Sequence, residues 1–411
     1  MQTSTATQSL SFSPYQKLVI ALMAFLQFTI ILDFMIISPL GAMLMPALNI
    51  STHQFGLVVS AYAFSAGISG ILASGFADRY DRKKLLIFFY SGFVFATLLC
   101  GLAQSYQFLL FARILTGIFG GVIGSIILAI TTDLFPFQMR GRVMGLLQTA
   151  FSASQILGIP LGLYLSNLWD WHAPFMMIVA ASLVAGVIII IYMKPVDQHL
   201  LNRVDRKAFH HFWMTISNRK YFPAFATTAL LSTGGFMLMP FGSAFTVGNL
   251  GIDIARLPMI YLITGICALI FGPLIGKATD QFGKFKVFLF GGVLSIVMVI
   301  FYTNMGISPL WLVILVNAIM FVGIFSRMIP AQAMMSAIPE PENRGSFMAV
   351  SSSLQQISGG LASVIAGSIV ISGANGQLEH FDTLGYILVF TTLITMVLMY
   401  SISKSIKVTA N

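Results

Sequence analysis

Long apolar runs separated by short polar stretches set the pattern of this chain. The runs cover residues 18–43, 55–76, 85–103, 108–132, 143–166, 174–193, 222–247, 257–276, 287–303, 309–335, 347–371 and 384–401. Each is close to the roughly 20 residues that a helix needs to cross about 30 Å of hydrocarbon, so twelve transmembrane helices are predicted. The one clear break in composition, about Lys194 to Lys220, holds Arg203, Asp205, Arg206, Lys207, His210 and His211, and it divides the helices into six and six. The predicted organisation is a tail at 1–17, a six-helix bundle at 18–193, a linker at 194–221, a second six-helix bundle at 222–401 and a tail at 402–411. Residues 1–14, rich in Ser, Thr and Gln, read as a short flexible tail. The first run is longer than the core of a cleavable signal and has no small-x-small site after it, so it reads as a retained span.

The two halves echo one another. Ser74-Gly75-Phe76-Ala77-Asp78-Arg79-Tyr80-Asp81-Arg82-Lys83-Lys84 joins two apolar runs and places a base four residues after an acid, Asp78 to Arg82. Gly276-Lys277-Ala278-Thr279-Asp280-Gln281-Phe282-Gly283-Lys284-Phe285-Lys286 repeats that spacing, Asp280 to Lys284, at a shift of 202. Arg140-Gly141-Arg142-Val143-Met144 returns as Arg344-Gly345-Ser346-Phe347-Met348, shifted by 204. The pattern is that of a duplication.

Composition fixes the solvent. Of the 411 residues, 57% are hydrophobic and 9% charged, whereas soluble domains carry about 25% charged residues. The formal charge of +9 raises the question of nucleic acid, but the bases fall in short loops and build no basic domain, so no nucleic-acid partner is expected. Of the 22 Lys and Arg, Arg113 and Arg327 lie inside spans and Arg256 in an outer loop; all the others lie in the even-numbered loops and the termini. Short loops rich in Lys and Arg stay on the cytoplasmic side, so both termini are expected there, in the plasma membrane of a bacterium. Cys100 and Cys267 each sit within an apolar run, and no disulfide framework, metal site or cofactor is indicated.

Three other classes fail on residues. Gly67-Ile68-Ser69-Gly70 matches the Gly-x-Ser-Gly pattern of a membrane serine nucleophile, but such a serine needs a base within reach, and all six histidines lie in loops or the linker. Gly272-Pro273-Leu274-Ile275-Gly276-Lys277-Ala278 is one residue short of a phosphate-binding loop and lacks its magnesium-holding Ser or Thr. A channel would not need the paired loop motifs. The chain is therefore read as a carrier and not an enzyme.

Charge inside a span costs about 2.5–3.5 kcal/mol on insertion scales, so Asp33, Arg113 and Arg327 each call for a reason. Asp33 lies fifteen residues after Leu18, about 22 Å along a helix and in its outer half. A carboxyl out of water favours its protonated form and one beside a cation its ionised form. Moving a cation therefore loads or releases a proton, although a structural ion pair or a helix-end position would also account for Asp33. Arg327, in Phe325-Ser326-Arg327-Met328-Ile329-Pro330, has no acid within the second-half spans; it would attract an anionic or hydroxyl-rich solute, or else snorkel to the inner interface. Small residues recur four apart at Gly117 and Gly121, Gly120 and Gly124, Gly158 and Gly162, and Gly272 and Gly276, a spacing that lets helix backbones approach in lipid.

Taken together, these residues resemble the major facilitator superfamily over essentially the whole chain. The loop through Asp78, Arg79, Arg82 and Lys83 is similar to that family's signature between spans two and three, with Ser74 and Asp81 where Gly is usual. The second copy has both glycines, Gly276 and Gly283, with Gln281 in place of the Arg. Arg113-Ile114-Leu115-Thr116-Gly117 resembles the Arg-x-x-x-Gly motif of proton-coupled members. Gly158-Ile159-Pro160-Leu161-Gly162 with Trp169-Asp170-Trp171-His172 resembles the efflux branch, the sugar-efflux and arabinose-efflux-like permeases and the twelve-span drug:proton antiporters.

The resemblance implies an all-α membrane protein of two pseudo-symmetric six-helix bundles, the major facilitator fold. It also implies alternating access with a small-molecule substrate, coupling to protons, and a monomer in the lipid bilayer. It makes Arg113 the partner of Asp33, since spans one and four line one cavity. Other cavity candidates are Gln27, Tyr62, Thr116, Gln148, Gln155, Thr233, Phe236, Asn317 and Arg327, most of which would equally serve packing or helix–helix hydrogen bonds. A cytoplasmic latch is implied at Asp78, Arg79, Arg82, Asp133, Asp280 and Lys284, with Asp78 against the start of span eleven near Gly345 to Met348 and Arg82 paired with Asp133. Export driven by protons is expected; proton-coupled uptake or facilitated diffusion of a sugar-like or anionic metabolite is the alternative.

Overall fold

Three of the long helices begin where a side chain answers the unpaired amides of the first turn. In the computed structural model, which describes residues 12–73, 79–197, 200, 213–340, 344–373 and 375–410, Ser13 and Gln16 form a reciprocal capping box at the head of α1 (Pro14–Ile36). Pro39 cannot donate to the ladder, and the helix breaks over 37–40 before resuming as α2 (Gly41–Leu48). The single span expected at 18–43 is therefore two helices with a bend. After α3 (Thr52–Ala73), α4 (Arg82–Gly101) starts on Asp81, whose carboxylate accepts the amides of Lys83 and Lys84. Asp81, which departs from the family's glycine, is thus the cap of this helix.

Ser105 opens α5 (Tyr106–Leu134), whose last turn is capped by Arg140: its Nε donates to the carbonyl of Phe135 and its Nη2 to that of Thr132. The fifth span is not one regular helix. Pro160 cannot bond to Ile156, so α6 (Phe137–Ala153) widens into a π turn at Ser154–Gly158 before continuing as α7 (Ile159–Leu168). The bundle closes with α8 (Ala173–Tyr192).

The second half repeats the plan with α9 (Phe222–Gly248), α10 (Leu257–Phe282), α11 (Lys284–Thr303), α12 (Leu310–Met335), α13 (Arg344–Ile369) and α14 (Phe381–Ala410). Two boundaries differ from expectation. α10 runs on to Phe282, so Asp280 lies on a helix rather than in a loop, and Gly283 turns the chain alone at φ 95°, a conformation that suits glycine. α14 continues through most of the stretch expected to be a tail. A small hairpin, β1 (Ile371–Ser372) and β2 (Leu378–Glu379), follows α13, and the Asn249 side chain holds it by accepting the Leu378 amide and donating to the Leu378 carbonyl.

Among the described residues, eleven helices are long and apolar enough to cross a membrane. The remaining one of that length, α13, is diluted by Ser346, Ser351, Ser352, Ser353, Gln355, Gln356 and Ser358, and it packs along α3 of the other bundle. Large apolar side chains on the outer faces, such as Phe88, Ile191, Phe290, Phe390 and Val397, are exposed. That distribution suits a protein whose surroundings are hydrocarbon.

α1, α3, α4, α5, α6 and α8 pack on one another, as do α9 to α14, and the two sets meet through α3 with α13, α7 with α10 and α2 with α9. One hydrophobic cluster is shared by both sets and includes Ile36, Leu40, Phe55, Phe241, Phe245, Val370 and Phe381. This is the end opposite the chain termini, here the far end. At the terminus end the core divides, with Val19, Leu86, Phe135 and Met193 in a cluster of the first set and Phe225, Phe288, Met334 and Phe347 in a cluster of the second. The apolar core is continuous between the two sets at the far end and divided at the other, although α3 and α13 stay in contact as far as Gly67, Gly70 and Ser353.

The small-residue pairs divide as well. A Cβ on Gly121 would lie 2.5 Å from Ala66 Cα, one on Gly117 would strike Ser65 and Tyr62, and one on Gly162 would lie 2.9 Å from Ile36. Gly124, Gly272 and Gly276 have nothing within 4 Å, so the packing expected of the Gly272 and Gly276 pair is not made.

Candidate functional site

Asp33 and Arg113 meet inside the first bundle, near the far ends of α1 and α5. Arg113 Nη1 donates to Asp33 Oδ2 at 2.9 Å and to the Asp33 main-chain oxygen at 3.2 Å, and both side chains are 0% exposed. Thr97 of α4 donates to the other carboxylate oxygen, Oδ1, at 3.2 Å. The Tyr62 ring of α3 lies under the guanidinium at 4.8 Å. Four helices thus enclose one pair, and Cys100 and Thr116 are fully buried close by in the sequence of α4 and α5.

The enclosure is incomplete in hydrogen bonds. Arg113 Nε and Nη2 are buried with no acceptor, although a buried donor left unmet costs about 1–3 kcal/mol, more when charged. One nitrogen therefore carries both contacts to Asp33. The second of these contacts reaches the backbone of α1 one turn before the helix ends at Ile36.

Beyond that end, the chain enters the contacts that close the far end. Ser243 of α9 donates to the Ser38 carbonyl at 3.1 Å and accepts the Ala42 amide at 3.3 Å. Thr52 donates to the carbonyl of Val370. Phe55 meets Phe241 edge to face at 5.9 Å, and Phe34 lies 5.7 Å from Phe236. Phe34 also covers Tyr62 at 5.1 Å, so an aromatic layer separates the ion pair from the second bundle.

The expected cavity residues fall in different surroundings. Tyr62 and Thr116 are buried, and Thr116 donates to the Arg113 carbonyl of its own helix. Gln27, Thr233, Phe236 and Asn317 are half-buried, with Thr233 donating to Leu230 and Asn317 to Val313. Gln155 sits in the π turn, nearly buried, while Gln148 is exposed on α6. Arg327 is 7% exposed, so it does not snorkel into open solvent.

At the terminus end, Arg82 Nε donates to Asp133 Oδ2 at 3.2 Å, which places together the two residues of the first latch. Lys83 Nζ donates to the Ile190 carbonyl and Asp81 accepts the Val196 amide at 3.3 Å, tying α4 to the end of α8. Asp78 lies outside the described residues. Arg79, Asp280 and Lys284 are exposed, and among the described residues none of them has an ion-pair partner within 4 Å. Thr97 was not singled out by sequence reasoning, because hydroxyls are common in these spans and most bond to their own helix, as Ser65, Thr116 and Thr131 do.

Two six-helix bundles whose apolar core is shared at one end and divided at the other, with an ion pair sealed inside one of them, fit a membrane carrier. The profile of the Major Facilitator Superfamily matches residues 23–245 and again 224–408, and the chain belongs to that family. It is 26% identical over 388 residues to the uncharacterized MFS-type transporter YceJ of Bacillus subtilis (strain 168), covering 92% of this chain and 94% of that one. It is 25% identical over 276 residues to the multidrug resistance protein MdtG of Enterobacter lignolyticus (strain SCF1), covering 65% and 66%. Among solved structures, the nucleoside transporter NupG superposes with a TM-score of 0.76 at 14% identity, covering 94% of this chain and 99% of that one. A bacterial homologue of the human lysosomal transporter Spinster, in an inward-facing and unoccupied conformation, gives 0.71 at 16% identity, covering 96% and 97%. The protein is an integral membrane transporter of a solute.

Proposed function

We propose that this transporter exports a small organic solute in exchange for protons, with Asp33 as the group that takes and gives the proton. The observation that carries the reading is the sealed pair of Asp33 and Arg113, held by one guanidinium nitrogen while two others go unmet. Protonating Asp33 would remove one charge and leave Arg113 a buried cation without a counter-charge. Breaking a buried pair in this way costs about 3–5 kcal/mol, enough to favour a rearrangement of α1 against α5. Because Arg113 also holds the main chain of α1 just before the bend at Ser38, that rearrangement would act on the far-end closure.

With the Lys- and Arg-rich loops taken as cytoplasmic, the joined far end would face outward and the divided core inward, which suits an inward-facing state. The pair of Arg82 and Asp133, formed here between α4 and α5 of the first bundle, would belong to the latch that the family resemblance implies at this end. Export as the direction is supported by the resemblance of the span-five motif to efflux carriers and by relatives whose names describe multidrug resistance.

The test is transport in proteoliposomes under an imposed pH gradient, across a panel of sugars, nucleosides, lipids and cationic drugs. The wild type accelerates at least one solute with the gradient. Asp33→Asn loses that acceleration while retaining solute exchange at equal pH on both sides, which shows that the variant is folded and binds. Full gradient-driven transport by Asp33→Asn would sink the reading.

A further inference from the structure

The second bundle holds a charge that nothing near it answers. Arg327 lies in the middle of α12 and is 7% exposed. Its Nε is buried without an acceptor, and among the described residues no carboxylate lies within 4 Å of its guanidinium and no hydrogen bond reaches it. The helices of this half carry two acids, both at helix ends: Asp280, on the last turn of α10, is exposed at the terminus end, and Asp382 is in the first turn of α14 at the far end. Arg113, fully buried, has Asp33. Arg327 has no equivalent.

On its own helix its neighbours are apolar or small: Met320, Gly323, Ala331 and Met334 stand seven and four residues to either side, on the same stripe of α12, and all are buried. Against α11 the helix fits closely: a Cβ on Gly291 would lie 2.6 Å from Ser326 Cβ and 2.9 Å from the Arg327 amide nitrogen. An unpaired cation out of water is strongly disfavoured, and a guanidinium is also the donor best matched to a planar, two-oxygen anion.

We infer that Arg327 supplies the positive half of a solute-binding site in the second bundle, and that the solute it accepts is an organic acid, held by its carboxylate. The inference rests on the reading of the protein as a solute carrier and deepens it. The carboxylate takes the Nη end of the guanidinium, since of its nitrogens only Nε is buried without a partner. The ion pair of the first bundle and this site are then separate: one answers to protons, the other to the solute.

The experiment uses the purified full-length protein in phosphatidylcholine nanodiscs, with thermal unfolding as the readout. The probes are benzoate, 4-phenylbutyrate and naphthalene-2-carboxylate, each beside its neutral amide. At least one carboxylate is expected to raise the Tm of the wild type above the effect of its amide. The rise is expected to be lost in Arg327→Gln and kept in weaker form in Arg327→Lys. Without any probe, Arg327→Gln is expected to melt no lower than the wild type, because an uncompensated charge has gone.

An equal response to acid and amide, no response to any acid, or an undiminished response in Arg327→Gln would overturn the inference. So would stabilisation by added phosphatidylglycerol in place of the acids, which would make a lipid headgroup the anion. Should Arg327→Gln fail to fold, the comparison with Arg327→Lys decides, a Lys response equal to the amide's being the negative result. Loss of pH-gradient coupling in Asp33→Asn is independent of all these outcomes, so failure of the proton reading and failure of this one are told apart.

Discussion

At the scale of single residues, the energetics turn on which partner of a buried charge is removed. Asp33→Asn keeps the shape of the side chain but strands Arg113, whose Nε and Nη2 already lack acceptors, so a loss of about 3–5 kcal/mol is expected. The double variant Asp33→Leu with Arg113→Met removes both charges, and it should recover most of that loss while remaining uncoupled from protons. Chemical unfolding of the three proteins in detergent checks this; a double variant as unstable as the single would mean that volume, not charge, is what matters there. Asp33 and Arg113 stand out in the sequence because charges are so few within the spans, and the resemblance to a family whose first and fourth spans line one cavity suggests that they pair. Thr97 and the bond to the Asp33 carbonyl were not legible. A buried hydroxyl usually serves its own helix, and which main-chain oxygen a guanidinium reaches depends on how α1 is rotated against α5.

Among the elements, helix positions followed from the length of chain that hydrocarbon demands, and the interruptions followed from proline: Pro39 bends the first span and Pro160 loosens the fifth. The hairpin after α13 depends on Asn249 reaching Leu378 across 129 residues, a contact that no local pattern announces. α13 fails as an apolar run because its face toward α3 is built of serine and glycine. There a Cβ on Gly56 would lie 2.6 Å from the Ser363 carbonyl oxygen, and one on Gly367 would lie 2.7 Å from that of Thr52. Backbone stands against backbone, with no flexible side chain to give way. Gly56→Val is therefore expected to force the far end apart. In a Phe241→Cys background, labelling by a membrane-impermeant maleimide should rise severalfold over the same background with Gly56 intact. Gly272→Val, where a Cβ has nothing within 4 Å, serves as the control and should leave labelling unchanged; equal labelling with both valines would show that the close approach does not hold the end shut.

For the whole molecule, duplication gives two bundles but not two copies of the chemistry. At the 204-residue shift that relates Arg140 to Arg344, Arg113 corresponds to Asn317 and Asp33 to Met237. Asn317 donates to its own helix, so the second bundle has no ion pair at that level and carries Arg327 elsewhere on α12. A rocking motion between unlike bundles needs a connection that can break, and the far-end contacts of Ser243 with Ser38 and Ala42 are two hydrogen bonds between neutral groups, each worth about 0.5–1.5 kcal/mol. Replacing them with a covalent link should therefore stop the cycle without disturbing either bundle. The pair Ala42→Cys and Ser243→Cys is expected to oxidise readily in the absence of solute, to halt transport in proteoliposomes, and to recover on reduction with dithiothreitol. The cross-linked protein should still bind solute from the terminus side, because the core is parted at that end. Transport at the wild-type rate after complete cross-linking would mean that the two bundles do not separate at the far end, and alternating access about this closure would have to be abandoned.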